Sequence, residues 1–387
     1  VCPKFTSACA MWGLGALSDD SSPSPSPSRS VSRSRGPAGR HGLEGQDEFV
    51  RALFRERDWN ALYPEVCLSP PTRHAPTGGG VPGWEGHAAV ADEVVSLLRR
   101  ADDEGPRRIE EVKFTGSVAK GTAVAPRVAD VDIVLIFRDF APRGGEGYEE
   151  LLSWVEDTLT TGALEAAISR RMVYFRISVE AGIEAASAQP RGAYFVDECA
   201  GFLRREAKYI HIKPERGPEV DVLVGGRFTS IADIFHVRRQ QDWVYWSPSC
   251  SHLCVEFIRR QPAFVRTPIR ALKAWRDQLG IRKLGKRPSS FLLELLCIWV
   301  HEQSGTRSAC DTFARALEVL ASDPASLRMV WDSYYDLSTV PRDILEQRPL
   351  ALDPVKPWNN VVRRRNLSIA RGEARRALRV WRAAGGT

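Results

Sequence analysis

FTGSVAKGTAVAPRVADVDIVLIF, residues 114–137, decides how the chain is read. From Val131 to Phe137 the stretch is apolar except at Asp132, and Asp130 lies two positions before it. A run this rich in Val, Ile and Leu predicts a strand buried on both faces. Carboxylates have no structural use in such a strand, because a buried unpaired charge is costly. Residues i and i+2 share a face, about 7 Å apart along the strand, so Asp130 and Asp132 can converge on a divalent cation held against a polyphosphate. The first half of the stretch supplies Gly116 and Ser117, then the basic turn Lys120-Gly121-Thr122. Glycines in such turns admit conformations that bring backbone amides close to phosphate, and Ser117 adds a hydroxyl for the same anion. Glycine turn and Asp-x-Asp together point to metal-dependent nucleotidyl transfer.

A third carboxylate repeats the pattern. Asp221 stands alone among Val220, Val222, Leu223 and Val224. If this second strand lies beside the first, Asp221 completes a triad. Two metal ions about 3.5–4 Å apart could then activate an attacking hydroxyl and steady a leaving pyrophosphate. Glu219 is on the same face by strand period. The alternative is an edge-strand aspartate pointing to solvent.

Upstream, Ile109–Thr115 reads as the strand that delivers the chain to Gly116, and residues 87–100 as an amphipathic helix ending in Arg99 and Arg100. Those arginines suit a helix C-terminus or a phosphate contact. Residues 146–170 read as helix, with strands expected at 173–179 and 209–212. From residue 251 the pattern turns helical. Residues 268–280 predict a helix opened by Pro268 and closed by Gly280, with Ile269, Leu272, Trp275 and Leu279 buried. Arg270, Lys273 and Asp277 share its other face, which is either solvated or turned to triphosphate oxygens. Residues 289–302 are apolar almost all round and predict a central helix whose Glu294 needs a partner. A last arginine-rich helix spans about 367–384, with Ile369, Leu378 and Trp381 available for docking. Cys250, His252 and Cys254 are too closely spaced, and lack a fourth ligand, for a zinc site.

At 387 residues, 43% apolar and 26% charged, the chain has the composition of a globular protein with ample core. It has no apolar run of 18 residues, so no membrane partner is expected. The net charge of +6 favours an anionic partner. Eight scattered cysteines suit a reducing compartment, cytoplasm or nucleus, better than a disulfide framework. Residues 18–46, rich in Ser, Pro and Arg, cannot build a core, so a disordered tail is expected at 1–47.

The motifs resemble those of the 2′-5′-oligoadenylate synthetases. Gly-Ser-x-x-Lys-Gly-Thr, Asp-x-Asp and Asp-Val-Leu match that family's N-terminal lobe. Arg270-Ala-Leu-Lys-Ala-Trp, Lys283-Leu-Gly-Lys-Arg-Pro, Leu293-Glu-Leu-Leu, Trp331-x-x-Tyr-Tyr-Asp and Leu352-Asp-Pro recur in the helical lobe in the same order. The resemblance implies an α+β fold: a polymerase-beta-like nucleotidyltransferase lobe at 48–245, with a mixed or antiparallel sheet and helices, and a helical lobe at 246–387, the active site lying in the cleft between them. It implies joining of ATP to the 2′-hydroxyl of an acceptor adenylate with release of pyrophosphate. Asp130, Asp132 and Asp221 match the magnesium ligands, for two Mg2+ ions with Mn2+ as a substitute, and Asp221 also helps to activate the acceptor hydroxyl. Gly116, Ser117, Arg270, Lys273, Ser290 and Phe291 match nucleotide-binding positions. Double-stranded RNA is the implied activator, with Arg99, Arg100, Lys120 and Arg259 on the RNA-facing surface. The chain departs from the family by one extra residue before Asp130, by Phe291 and Ser290 where tyrosine and glutamine are expected, and by Val255 at a basic position. A cyclic-dinucleotide synthase and a catalytically silent RNA-binding scaffold remain as alternatives.

Overall fold

The computed structural model describes residues 43–56, 59, 85–104, 109–124, 129–138, 140, 146–169, 177–178, 193–195, 201–205, 209–213, 218–227, 247–279, 287–362 and 364–385. They form two compact units: described residues between Glu85 and Pro262 make one, and those before residue 63 join those from Ala263 onward in the other.

The first unit is built on a sheet of seven strands: β1 (Ile109–Thr115), β2 (Val131–Phe137), β3 (Ile177–Ser178), β4 (Ala193–Phe195), β5 (Gly201–Arg205), β6 (Ile210–Lys213) and β7 (Val220–Gly225). Their order is β1-β2-β7-β6-β5-β3, with β4 also paired to β5. β2 and β7 are parallel at its centre; β1 and β6 flank them antiparallel. This is the mixed sheet expected, and β1 and β2 have the expected bounds. Strand period sorts the side chains. Val131, Ile133, Leu135 and Phe137 join Val220, Val222 and Val224 against Val94 and Leu98 of α2 (Glu85–Glu104) and Leu152 and Val155 of α4 (Glu146–Ser169). Val134, Ile136 and Leu223 pack on the opposite face with Tyr209. The aspartates fall on that second face.

The one-turn helix α3 (Gly116–Ala119) follows β1 directly, and α5 (Ser251–Arg259) packs on β1 and α3. The two compact units divide at 262/263, so α5 groups with the sheet, where its Val255 joins the main core. Val255, at an expected RNA-contact position, is core. At the end of β7, Ser249 donates no room to a side chain at Gly225 and its hydroxyl accepts from the Gly226 amide at 2.8 Å, which ties the residues before α5 to the strand.

The second unit gathers α1 (Leu43–Arg55), α6 (Ala263–Gln278), α7 (Ser290–Ser304), α8 (Ala309–Ala321), α9 (Arg342–Leu345), α10 (Arg364–Ala383) and the two-stranded sheet of β8 (Arg328–Met329) and β9 (Leu350–Ala351). α1 starts inside the stretch expected to be tail, and its Asp47 accepts from Nε and Nη2 of Arg376, each at 2.8 Å. Trp59 stands edge-on to Phe313 and Trp381 at 5.4 and 6.2 Å. α6 begins at Ala263, five residues earlier than predicted, so Pro268 lies inside it rather than opening it. The preceding Thr267 hydroxyl donates to the Ala263 carbonyl at 3.0 Å within that first stretch. Gly280 lies outside the described residues.

The motifs of the helical lobe interlock. The Trp331 indole donates to the Leu352 carbonyl at 2.6 Å, and Asp353 caps the turn after it by accepting from the amides of Val355 and Lys356. Lys273 donates to Glu294 at 2.6 Å, their side chains only 3% and 1% exposed. These pairings place the motif residues in the core of this unit.

Candidate active site

Parallel pairing of β2 with β7 sets Asp132 directly beside Asp221 on the same face of the sheet. Asp130 enters from just before β2, where the Val131 amide is bonded to the Glu219 carbonyl at 2.8 Å. One carboxylate oxygen from each of the three aspartates lies within 4.8 Å of the other two. Among the described residues this is the one cluster of His, Cys, Asp or Glu side chains with the geometry to hold a metal. Cys250 and Cys254 are both buried and neither is in a disulfide.

The cluster costs the protein electrostatic energy. Loss of water around Asp130 pushes its carboxyl above the ordinary carboxylate value, and the charges of Asp221 and then Glu219 push it the same way. Like charges gathered without a cation are unfavourable; a divalent cation reverses the sign of the interaction. Three carboxylates form a hard-oxygen donor set suited to Mg2+ or Mn2+. The residues therefore fit the implied metal.

The glycine turn is built around these carboxylates. Gly116 adopts φ 69°, in the left-handed region that favours glycine. A methyl group there would overlap the carboxylate of Asp132. Thr115, opposite Asp132 in the β1–β2 register, brings the turn to that place. The turn is held by the Lys120, Gly121 and Thr122 amides, which donate to Gly116, Val118 and Ser117 carbonyls at 3.2, 3.1 and 2.9 Å. Gly121 also has positive φ, 72°. Gly116 thus lies against one carboxylate of the cluster, with Ser117 next in the turn.

Two histidines absent from the sequence reading support the cluster. His211 on β6 stands opposite Asp221, its Nδ1 2.7 Å from Oδ1, with Nε2 3.6 Å from Glu219. His87 on α2, 3% exposed, has Nε2 3.0 Å from the Ala129 carbonyl and so fixes the residue preceding Asp130. The alternation Ile210-His-Ile212 hinted that His211 faces away from the core; only the hairpin register could say that Asp221 is its neighbour.

The other expected site residues are placed as follows. Arg270 and Lys273 are buried, so the face of α6 they share is not a solvated one; Asp277, the third residue of that face, is exposed. Arg270 donates to the Thr267 hydroxyl at 3.3 Å. Ser290 accepts from Arg276 at 2.8 Å, and Phe291 is half-buried in the first turn of α7, after Ser289 caps the helix through the Leu292 amide. Arg99 and Lys120 are half-buried and Arg259 is exposed at the end of α5; the Arg100 side chain lies outside the described residues.

A central Asp-bearing parallel pair, flanked antiparallel and preceded by a glycine turn, is the arrangement of the nucleotidyltransferase fold class. The solved Escherichia coli MS115-1 CdnC with ATP shares this fold, with TM-score 0.53 and 16% identity over 87% of this chain and 97% of that one. Within that class the chain is similar to the 2′-5′-oligoadenylate synthetases, as its motifs implied. Residues 232–382 match the family described as 2′-5′-oligoadenylate synthetase 1, domain 2, C-terminus. Rattus norvegicus 2′-5′-oligoadenylate synthase 1A is 24% identical over 67% of this chain and 73% of its own length. Mus musculus 2′-5′-oligoadenylate synthase-like protein 2 is 32% identical over 33% of this chain, which spans only 28% of that relative. Among the described residues no helix is long and apolar enough to cross a membrane.

Proposed function

We propose that the protein is a template-independent nucleotidyltransferase that polymerises ATP into 2′-5′-linked oligoadenylates and is activated by double-stranded RNA. The observation that carries the chemistry is the convergence of Asp130, Asp132 and Asp221 within 4.8 Å; the match of residues 232–382 carries the choice of product. The three aspartates would hold Mg2+, or Mn2+ in its place. A bound divalent cation would neutralise the charge that accumulates on the phosphates and the attacking oxygen.

In the reaction the acceptor 2′-oxygen bonds to the α-phosphorus of ATP, the bond from that phosphorus to the bridging oxygen breaks, and pyrophosphate leaves. Asp221, as a ligand of the cation, would help to activate that hydroxyl. The amides and hydroxyl of Gly116 and Ser117 orient the departing phosphates beside Asp132. Ser290 and Phe291 contact the adenosine, the ring by stacking. Arg270 and Lys273 act in this reading by shaping the nucleotide site through their buried contacts on α6. Arg99, Arg100, Lys120 and Arg259 form the RNA-binding set, meeting phosphates and 2′-hydroxyls rather than base edges. The packing of α3 against α5 supports a route from that surface to the glycine turn.

The test is product analysis. The protein is incubated with ATP and Mg2+, with and without long duplex RNA, and the products are digested with a nuclease specific for 3′-5′ linkages. Resistant linear oligomers, increased by RNA, are expected. A single phosphatase-resistant dinucleotide would identify a cyclic-dinucleotide synthase instead, and RNA binding with no product a silent scaffold.

A further inference from the structure

We propose that His211 is a positioning residue for metal binding: it holds Asp221 by one oxygen so that the carboxylate meets the cation through the other. The inference rests on the metal-dependent reading of the three aspartates. His211 Nδ1 and Asp221 Oδ1 are 2.7 Å apart across the β6–β7 register. An ionised carboxylate only accepts, so the ring must donate Nδ1–H. The pair is shielded, with His211 14% and Asp221 19% exposed, so water competes weakly for the bond. A carboxylate with two free oxygens can rotate or chelate; one with Oδ1 committed presents Oδ2 in a fixed direction.

The rest of the surroundings makes the residue difficult to replace by chance. Its neighbours Ile210 and Ile212 point to the opposite face and are buried in the main core, so the strand anchors the ring without help from the site. Glu219, two residues before Asp221 on the same strand, approaches the far nitrogen at 3.6 Å and limits the ring's swing. A ligand held from behind in this way binds metal more tightly, and removal of such a support typically costs about 10–100-fold in metal affinity or activity.

The experiment titrates Mn2+ into the full chain and follows the free ion by electron paramagnetic resonance, for the parent, His211→Phe, His211→Asn and Asp132→Asn. Phe keeps a ring on the strand and removes the donor; Asn keeps an N–H near the position of Nδ1. His211→Phe should weaken Mn2+ binding about 10–100-fold, with His211→Asn recovering most of the loss at an unchanged unfolding midpoint. In turnover, His211→Phe should need more Mg2+ to reach half-maximal rate and regain most of kcat at saturation. Parent-like Mn2+ affinity in His211→Phe overturns the proposal, as does equal loss in both His211 variants. Asp132→Asn should abolish tight binding. A parent that binds Mn2+ with this pattern of variants yet makes no oligoadenylate would refute the proposed function and leave the role of His211 standing.

Discussion

The two units bury charge in opposite ways. In the helical unit Lys273 and Glu294 meet at 2.6 Å and satisfy each other. In the sheet unit Asp130, Asp132 and Asp221 converge with like charge, and Asp130 is pushed above the ordinary carboxylate value by lost water and by Asp221. An opposite-charge pair is complete as folded. A like-charge cluster is unfavourable by itself, and in the proposed function a cation would complete it. The comparison separates a structural charge from a chemical one without reference to motif, since both regions are carried by family-like sequence.

Breaking each region should give opposite results. The largest effect is expected from Asp221→Ala, which should lower turnover by roughly 10³-fold or more, about 4 kcal/mol of barrier. The metal-free protein should lose little stability, because relief of repulsion at Asp130 offsets the hydrogen bond lost by His211; thermal unfolding without divalent ions checks this. Lys273→Met should do the reverse to stability. It leaves Glu294 buried without its partner and should cost about 3–5 kcal/mol in denaturant unfolding. The double variant Lys273→Met, Glu294→Leu should recover most of that loss; failure to recover would mean that the pair serves something other than the core.

Gly116→Ala sharpens the contrast at a position next to the carboxylates. The left-handed backbone costs a non-glycine residue roughly 1–2 kcal/mol, but the added methyl also displaces Asp132. Turnover should therefore fall further than stability, measured by comparing initial rates with the unfolding midpoint. The smallest effect belongs to the half-buried pair of Asp47 and Arg376 in the helical unit. Arg376 holds the Asp47 carboxyl below its ordinary value through the hydrogen bond between them. A depressed carboxylate stabilises the fold above its unfolded value and loses that contribution as the pH falls through its folded value. Asp47→Asn should cost about 1 kcal/mol at pH 7, and the gap to the parent should close in acid below the ordinary carboxylate range.

Much of this division was legible in the sequence. The apolar run 131–137 fixed a doubly buried strand, and period 2 put Asp130 and Asp132 together on one face. Asp221 was legible as a charge in a second such run. Its position beside Asp132 came from the parallel register, which local pattern does not encode. His211 was hidden for the same reason, since its partner is set by the β6–β7 hairpin. α6 misled in a different way. From spacing alone the face of Arg270 and Lys273 could turn to solvent or to phosphate; both are buried, and Glu294, 21 residues on from Lys273, supplies its counter-charge. Pro268 suggested a helix start, yet Ala263–Thr267 form the opening turns and the proline is carried within.

The central claim is that the three aspartates make one metal-dependent catalytic site. Its most direct measurement is pyrophosphate release from ATP by the full chain over a Mg2+ titration, with duplex RNA present, for the parent and Asp132→Asn. The account predicts release that rises with Mg2+ in the parent and stays at background in the variant. Release that is independent of Mg2+, or equal in the two proteins, would contradict it.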